Sequence, residues 1–143
     1  MNPSAKNVVI DAGPLVALLS EESQYHEWAV EQWNRFEPPV FVCEAVITEA
    51  AFLLKREDAD PDGLFKMLER GAIEISFSAR DFLPDLRVLM QRYRNLPMSF
   101  ADACIVRMSE LDPSAFVFTF DSDFKIYRKH GNRVIPVLMP PNR

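Results

Sequence analysis

Short runs of β-branched and aromatic residues alternate with helix-forming segments along the chain, and this alternation restricts the fold more than any other feature. The first run, Val8-Val9-Ile10, predicts a buried strand that ends at Asp11. Further strands are predicted over residues 40–42, 73–77, 116–120 and 134–138. Strands that alternate with helices favour a parallel sheet with helices on both faces. The sequence therefore predicts an α/β fold.

The segments between these runs have helical spacing and are bounded by proline, serine, aspartate or glycine. We expect helices over residues 14–19, 24–36, 44–56 and 80–94, one between Asp60-Pro61 and Gly71, one capped by Ser99, and a short one over 123–129. No linker or repeat divides the 143 residues, of which 48% are apolar. One domain spanning residues 1–143 is therefore expected.

Composition argues against membrane, secreted and zinc-binding proteins. No apolar run approaches the roughly 20 residues that a membrane helix needs, and the N-terminal residues show no signal-peptide pattern, so a cytoplasmic protein is expected. Cys43 and Cys104 lie in apolar stretches without a CxxC motif or a nearby histidine. This context favours buried thiols over a disulfide or a zinc site.

Charge is unevenly distributed within a net charge of −5. Residues 1–123 hold 21 acidic and 11 basic side chains, whereas residues 124–143 hold no acid and five bases: Lys125, Arg128, Lys129, Arg133 and Arg143. This basic end is either an ordinary solvated surface or an edge that binds the phosphates of a polyanion beside an acidic site.

Acidic residues follow two of the predicted strands, at the edge of a parallel sheet where ligands gather. Asp11 ends the first strand, and Asp121 and Asp123 follow the fourth. Aspartates at such positions often cap helices, and this alternative explains Asp121 or Asp123 well. It explains Asp11 less well, because a cap there needs a helix that starts at once.

Two further acids lie on helices whose spacing places them on apolar faces. On a helical wheel Glu49 falls near Val46, Phe52 and Leu53, and Asp102 has a similar apolar environment. An ion pair between Glu49 and Arg56 is one explanation. Four converging acids would instead require a bound cation, and oxygen ligands without a neighbouring His or Cys indicate Mg²⁺ or Mn²⁺.

Four segments, VVIDAGPLVALL, VITEAAFLL, MSFADACIV and FTFDSDF, together resemble the PIN-domain ribonucleases, above all the VapC-type toxins of toxin–antitoxin pairs. The resemblance runs from Val8 to about Phe124. Each segment alone is a weak signal, whereas all four in this order are specific. The resemblance implies a three-layer α/β/α sandwich around a parallel sheet of about five strands.

The resemblance also implies the site and the reaction. It assigns Mg²⁺ or Mn²⁺ binding and catalysis to four acids, with an acid and a hydroxyl in supporting positions: Asp11, Glu49, Asp102 and Asp121, supported by Asp123 and Thr119. Glu49 is either a ligand or the group that orients the attacking water. Ala12 departs from the family, which often has a hydroxyl or amide residue there. The implied activity is metal-dependent hydrolysis of single-stranded or looped RNA, leaving a 5′-phosphate and a 3′-hydroxyl.

Partners are implied as well: an RNA substrate, a small cognate antitoxin and a second copy of the chain in a homodimer. Trp28 and Trp33 are candidates for antitoxin contact, although aromatic residues at helical spacing usually belong to the core. Four basic residues are candidates for contact with the RNA backbone: Lys125, Arg128, Lys129 and Arg133. The alternatives are an RNase H-like nuclease, or a PIN-like module that binds RNA or protein without cleaving it.

Overall fold

The computed structural model describes residues 7–141 and confirms the alternation of strands and helices. The α-helices are α1 (Ala12–Leu19), α2 (His26–Trp33), α3 (Glu44–Arg56), α4 (Asp62–Glu69), α5 (Leu83–Arg92) and α6 (Phe100–Leu111). The strands are β1 (Val8–Ile10), β2 (Val40–Val42), β3 (Ile73–Ile75), β4 (Phe116–Phe118), β5 (Arg128–Lys129), β6 (Arg133–Val134) and β7 (Val137–Leu138). Two short 3₁₀ helices cover Ala79–Phe82 and Ser122–Lys125.

Five strands form one parallel sheet in the order β3-β2-β1-β4-β7. β1 occupies the centre, where Val8 to Ile10 are all buried because both faces of the sheet are covered. Helix α1 packs against α2 and α3, while α5 packs against α6, which also contacts β1 and β4. The predicted three-layer α/β/α sandwich is therefore confirmed.

The core is aromatic on one side of the sheet. The ring of Trp28 lies 5.7 Å from that of Phe118, and Phe36 packs edge-on against both Phe116 and Phe118. Trp33 in turn contacts Phe36, with ring centroids 6.3 Å apart. The two tryptophans proposed for antitoxin contact thus also serve packing. Cys43 and Cys104 are free and buried, as predicted.

The C-terminal part of the fold differs from the prediction. The expected helix over residues 123–129 is a 3₁₀ helix followed by β5, which turns through His130 and Gly131, both with positive φ, into the antiparallel partner β6. The expected strand over 134–138 is divided between β6 and β7. Pro136 lies between them and has no N–H to continue a ladder, although its carbonyl accepts from Val117 at 2.9 Å.

Other boundaries shift by a few residues. Helix α1 begins at Ala12, two residues before the predicted start at Pro14, and β3 and β4 each contain three residues rather than five. The helix predicted over 80–94 is divided into the 3₁₀ turn Ala79–Phe82 and α5. None of the helices formed by residues 7–141 is long and apolar enough to cross a membrane.

Candidate active site

The ends of β1 and β4 place Asp11 and Thr119 side by side. The two strands are parallel neighbours with Ile10 opposite Phe118, so the next residue of each strand meets the other at the sheet edge. The Asp11 N–H donates to the Phe118 carbonyl at 2.9 Å, and the Thr119 hydroxyl donates to Asp11 Oδ2 at 2.7 Å. A buried hydroxyl therefore fixes the carboxylate at the end of the central strand.

Thr119 also links Asp11 to the second strand-end acid. Its Oγ1 accepts a hydrogen bond from the Asp121 N–H at 3.0 Å. The Asp121 carboxylate in turn accepts from the Asp123 N–H at 2.9 Å, which caps the 3₁₀ helix. One hydroxyl thus connects the side chain of Asp11 to the backbone of Asp121. Thr119 and Asp123 both lie next to the acids that they were predicted to support.

Asp11 is also a helix cap, because α1 starts at once. Its Oδ1 accepts from the Ala12 N–H at 2.8 Å. Asp11 is only 7% exposed, and burial raises the pKa of its carboxyl to about 6, against the lowering effect of the Thr119 and Ala12 hydrogen bonds. The charges of Asp102 and Glu49 raise this pKa further. Capping therefore explains the position of the Asp11 side chain. It does not explain why a carboxyl group lies where burial and neighbouring acids disfavour its ionised form.

Asp102 lies in the first turn of α6, where two groups hold the same oxygen. Ser99 and Asp102 form a capping box in which the Ser99 N–H donates to Asp102 Oδ2 at 3.1 Å and the Asp102 N–H donates to Ser99 Oγ at 3.0 Å. The Tyr127 hydroxyl donates to the same Oδ2 at 3.2 Å. Asp102 is buried, as predicted, and burial together with the charge of Asp121 raises its pKa.

Glu49 was predicted to face the core, and this prediction is wrong. The buried face of α3 is formed by Val46, Ala50 and Leu54, whereas Glu49 is exposed. The helical wheel places Glu49 near Phe52 as if Phe52 were a core residue, but Phe52 is 60% exposed. Partial burial raises the pKa of Glu49, and the charges of Asp102 and Asp121 raise it further.

Neighbouring carboxylates raise the pKa values of Asp11, Glu49 and Asp102, and no basic side chain among residues 7–141 forms an ion pair with a site acid. In the described part of the chain the ion pairs are Lys66–Asp62, Arg107–Asp85 and Arg107–Glu110, none of which includes a site acid. The Arg56 guanidinium, the predicted partner of Glu49, instead lies over the Phe52 ring at 5.8 Å. The ion-pair explanation of Glu49 is therefore not supported.

The donor set has the chemistry of a site for a hard cation. All four side chains offer carboxylate oxygens, which Mg²⁺ and Mn²⁺ prefer, and their mutual repulsion would favour binding of positive charge. Across residues 7–141, however, no three His, Cys, Asp or Glu side chains are grouped tightly enough to hold a metal ion as they stand. The residues fit such a cation by type and charge, without forming a closed cage.

Tyr127 was missed by the sequence analysis. It is fully buried, packs edge-on against Tyr93 and Phe124, and still directs its hydroxyl at Asp102. Burial and the charge of Asp102 raise its pKa, so the phenol remains a proton donor. A tyrosine in an apolar segment signals a hydrogen-bond partner, but only the tertiary structure identifies Asp102 as that partner.

The four basic candidates of the C-terminal end differ in exposure and in hydrogen bonding. The Arg128 guanidinium donates to the carbonyls of Lys125, Ile126 and Tyr127 at 2.7, 3.1 and 3.2 Å, and Lys129 is buried. Lys125 and Arg133 are exposed. Arg143, also counted in this basic end, lies outside the described residues. Two of the four predicted RNA contacts are thus well exposed for a polyanion.

Comparison with known proteins agrees with the fold. The family model of the PIN domain matches residues 8–129. Among solved structures, the chain is similar to VapC20 of Mycobacterium tuberculosis, described as a sarcin-ricin loop cleaving toxin. The TM-score is 0.77 at 19% identity over 89% of this chain and 99% of that chain. No curated protein matches the sequence.

Proposed function

The chain belongs to the PIN domain family, and from this premise we propose that it is a metal-dependent endoribonuclease, the toxin of a type II toxin–antitoxin pair. The observation that carries the proposal is the set of four acids on four different elements: Thr119 joins Asp11 to Asp121 by hydrogen bonds, neighbouring carboxylates raise the pKa values of Asp11, Glu49 and Asp102, and no ion pair among the described residues includes any of the four. Repulsion among these carboxylates destabilises the folded protein, and a bound cation would relieve it.

Asp11, Asp102 and Asp121 are the residues that would hold Mg²⁺ or Mn²⁺, since hydrogen bonds fix each of them. Asp11 and Asp121 lie at the carboxyl ends of the strands, and Asp102 lies at the start of α6. Glu49 is either a fourth ligand or the group that orients the attacking water. A bound cation would lower the pKa of a water molecule and offset charge on the phosphate. Thr119 and Tyr127 would hold their carboxylates in place during this chemistry.

The substrate proposed is single-stranded or looped RNA, because a phosphate can approach the buried carboxylates of Asp11 and Asp102 only where the strand is free to bend. The description of VapC20 as a toxin that cleaves the sarcin-ricin loop supports a looped target. Lys125 and Arg133 are the best placed of the four basic candidates to contact the RNA backbone, because both are exposed, whereas Lys129 is buried and the Arg128 guanidinium is hydrogen-bonded to backbone carbonyls. Products carrying a 5′-phosphate and a 3′-hydroxyl are expected.

The proposed partners follow from the same family. A small antitoxin would silence the site in the cytoplasm, and two copies of the chain would form a homodimer, each copy a single PIN-like domain of residues 1–143. A basic side chain of an antitoxin would complement the uncompensated negative charge of the four acids.

Cleavage of labelled RNA tests the proposal. The wild type should cleave in Mg²⁺ or Mn²⁺, and cleavage should stop on addition of EDTA and in Asp11→Asn. Asp81→Asn changes an exposed acid outside the site and should cleave like the wild type. Cleavage that persists in EDTA would contradict metal dependence. RNA binding without cleavage by the wild type would favour the non-catalytic alternative.

A further inference from the structure

The two short segments that follow β1 and β4 carry the strand-end acids and contact each other at two points. The first contact is the hydrogen bond from the Thr119 hydroxyl to Asp11 Oδ2 at 2.7 Å. The second is the side chain of Phe120, which packs directly over Gly13. Phe120 lies between Thr119 and Asp121 in the chain. The contact between Phe120 and Gly13 therefore bears on the positions of both strand-end acids.

Gly13 leaves little room for a side chain. A Cβ atom added to it would lie 3.2 Å from Cδ2 of Phe120 and 3.4 Å from both Cβ and Cγ of that residue. The Phe120 ring also packs against Tyr25 and Trp28, with ring centroids 5.1 and 6.2 Å away. Because these rings restrict where Phe120 can move, an added methyl group would displace it by a few tenths of an ångström.

The backbone does not account for the glycine at position 13. Gly71 and Gly131 have positive φ, a conformation that favours glycine, whereas Gly13 is an ordinary helical residue of α1. Apart from proline, glycine is the residue least favourable to a helix. The close approach of Phe120 is thus the feature of the structure that explains glycine at this position.

We propose that Gly13 is a positioning residue of the cation site, whose lack of a side chain lets Phe120 act as a spacer that sets the separation of Asp11 from Asp121. The inference rests on the proposed function and adds how the two strand-end carboxylates are kept in place for a shared cation. Mg²⁺ requires near-ideal octahedral geometry, with oxygens at about 2.0–2.1 Å. A small displacement of Phe120 is therefore enough to weaken Mg²⁺ binding.

Mg²⁺ titration of the full chain, followed by calorimetry, tests the spacer. Gly13→Ala should weaken Mg²⁺ binding by about 10- to 100-fold, the loss typical when a group behind a metal ligand is disturbed. Ca²⁺ also binds carboxylate oxygens but accepts a more flexible geometry, so its affinity should fall less. No loss of Mg²⁺ affinity, or equal losses for the two cations, would overturn the proposal.

Changes at Phe120 test the same contact from the β4 side. Phe120→Leu keeps the Cβ and Cγ atoms that lie over Gly13 and should retain Mg²⁺ affinity, whereas Phe120→Ala removes the spacer and should lose it. This comparison decides the matter even if Gly13→Ala does not fold. Equal Mg²⁺ affinities for Phe120→Leu and Phe120→Ala would contradict a spacer.

Combining the two changes tests whether they act through one contact. In Gly13→Ala/Phe120→Ala the added methyl group occupies part of the space left by the ring, so the double variant should bind Mg²⁺ more tightly than Gly13→Ala. Losses of affinity that simply multiply would mean that the two residues act independently, against the proposal.

Gly63→Ala is the matched control. Gly63 lies in α4, where an added Cβ atom would approach Cδ2 of Leu19 at 2.9 Å, a closer contact than that at Gly13. Leu19 is the last residue of α1, whereas Asp11 caps its first turn, so the crowding falls at the opposite end of the helix. Mg²⁺ affinity should therefore be unchanged in Gly63→Ala, and thermal melts in EDTA establish that each variant is folded. A loss as large as that in Gly13→Ala would contradict a specific role for Gly13.

The outcomes distinguish the spacer from the function on which it rests. If the wild type binds no Mg²⁺, the cation site and the spacer both fail. If the wild type binds Mg²⁺ and cleaves RNA while Gly13→Ala binds Mg²⁺ as Gly63→Ala does, the spacer is wrong and the nuclease function stands. If the affinities divide as expected but the wild type does not cleave RNA, the spacer stands and the nuclease function is wrong.

Discussion

Two opposing effects act on the ionisation of Asp11. As the cap of α1 and the acceptor of the Thr119 hydroxyl, it is stabilised in the ionised form by two hydrogen bonds. Its burial and the nearby acids outweigh them and raise its pKa to about 6. At the scale of single residues, the site therefore consists of carboxylates held firmly in an environment that disfavours their charge. The hydrogen bonds that hold them are the first features to test.

Tyr127→Phe should weaken metal binding while leaving the fold intact. The change removes the hydroxyl that donates to Asp102 Oδ2 at 3.2 Å and keeps the ring packed against Tyr93 and Phe124. Loss of such a supporting hydrogen bond typically costs about 10- to 100-fold in metal affinity. Mn²⁺ titration followed by calorimetry measures this effect.

Tyr93→Phe is the matched control, since its hydroxyl accepts from the Arg128 N–H at 2.9 Å rather than contacting an acid. Equal Mn²⁺ affinities for the Tyr93→Phe and Tyr127→Phe proteins would show that Tyr127 does not position Asp102.

At the scale of elements, the start of α6 joins helix capping to the site. Ser99 and Asp102 satisfy one another's backbone N–H groups, so the same contacts that begin the helix also fix the carboxylate. Helix α3 contributes differently, because Glu49 projects from an exposed face and has no capping role. Asp102 is therefore held by hydrogen bonds at the start of its helix, whereas Glu49 projects from an exposed helical face.

Ser99→Ala should lower the free energy of unfolding by about 1 kcal/mol, because the Asp102 N–H loses its acceptor at the start of α6. Ser78→Ala provides the comparison, since Ser78 precedes a 3₁₀ helix and makes no side-chain cap. Urea denaturation of the two variants measures the difference. Equal stabilities would mean that the capping box contributes nothing.

Much of the arrangement of helices and strands could be predicted from the sequence. Fully buried runs such as Val8-Val9-Ile10 mark strands, and Ser99 before an apolar segment marks a helix start, because local chemistry decides both. Glu49 was misplaced because a helical wheel treats every large apolar residue as core, and Phe52 is exposed. The contact between Tyr127 and Asp102 joins residues 25 apart in sequence, so no local pattern could reveal it.

At the scale of the whole molecule, the raised pKa values of the site acids link stability to pH. The folded-state pKa of Asp11 lies above its unfolded value, as do those of Glu49 and Asp102, so the folded protein binds these protons more tightly. Their contribution to stability is present at low pH and is lost as pH rises. For Asp11 the window runs from about pH 4 to about pH 6.

In EDTA, the stability of the wild type relative to Asp11→Asn should therefore fall between pH 4 and pH 7. A pKa rise of about two units corresponds to about 3 kcal/mol at most. Urea denaturation at several pH values measures this difference, with Asp81→Asn as the control for loss of one acid. Parallel stability profiles for the wild type and Asp11→Asn would show that ionisation of Asp11 does not lower the free energy of unfolding.

The central claim is that Asp11, Glu49, Asp102 and Asp121 form a cation site rather than a set of structural acids. Thermal melting of the wild type and Asp11→Asn, each in EDTA and in Mn²⁺, tests it most directly. Asparagine still caps a helix, so in EDTA the variant should be as stable as the wild type or more stable. Mn²⁺ should stabilise the wild type by about 2.7 kcal/mol at 100 times its dissociation constant, and the variant by less. A variant that melts well below the wild type in EDTA, beside a wild type that does not respond to Mn²⁺, would contradict the claim.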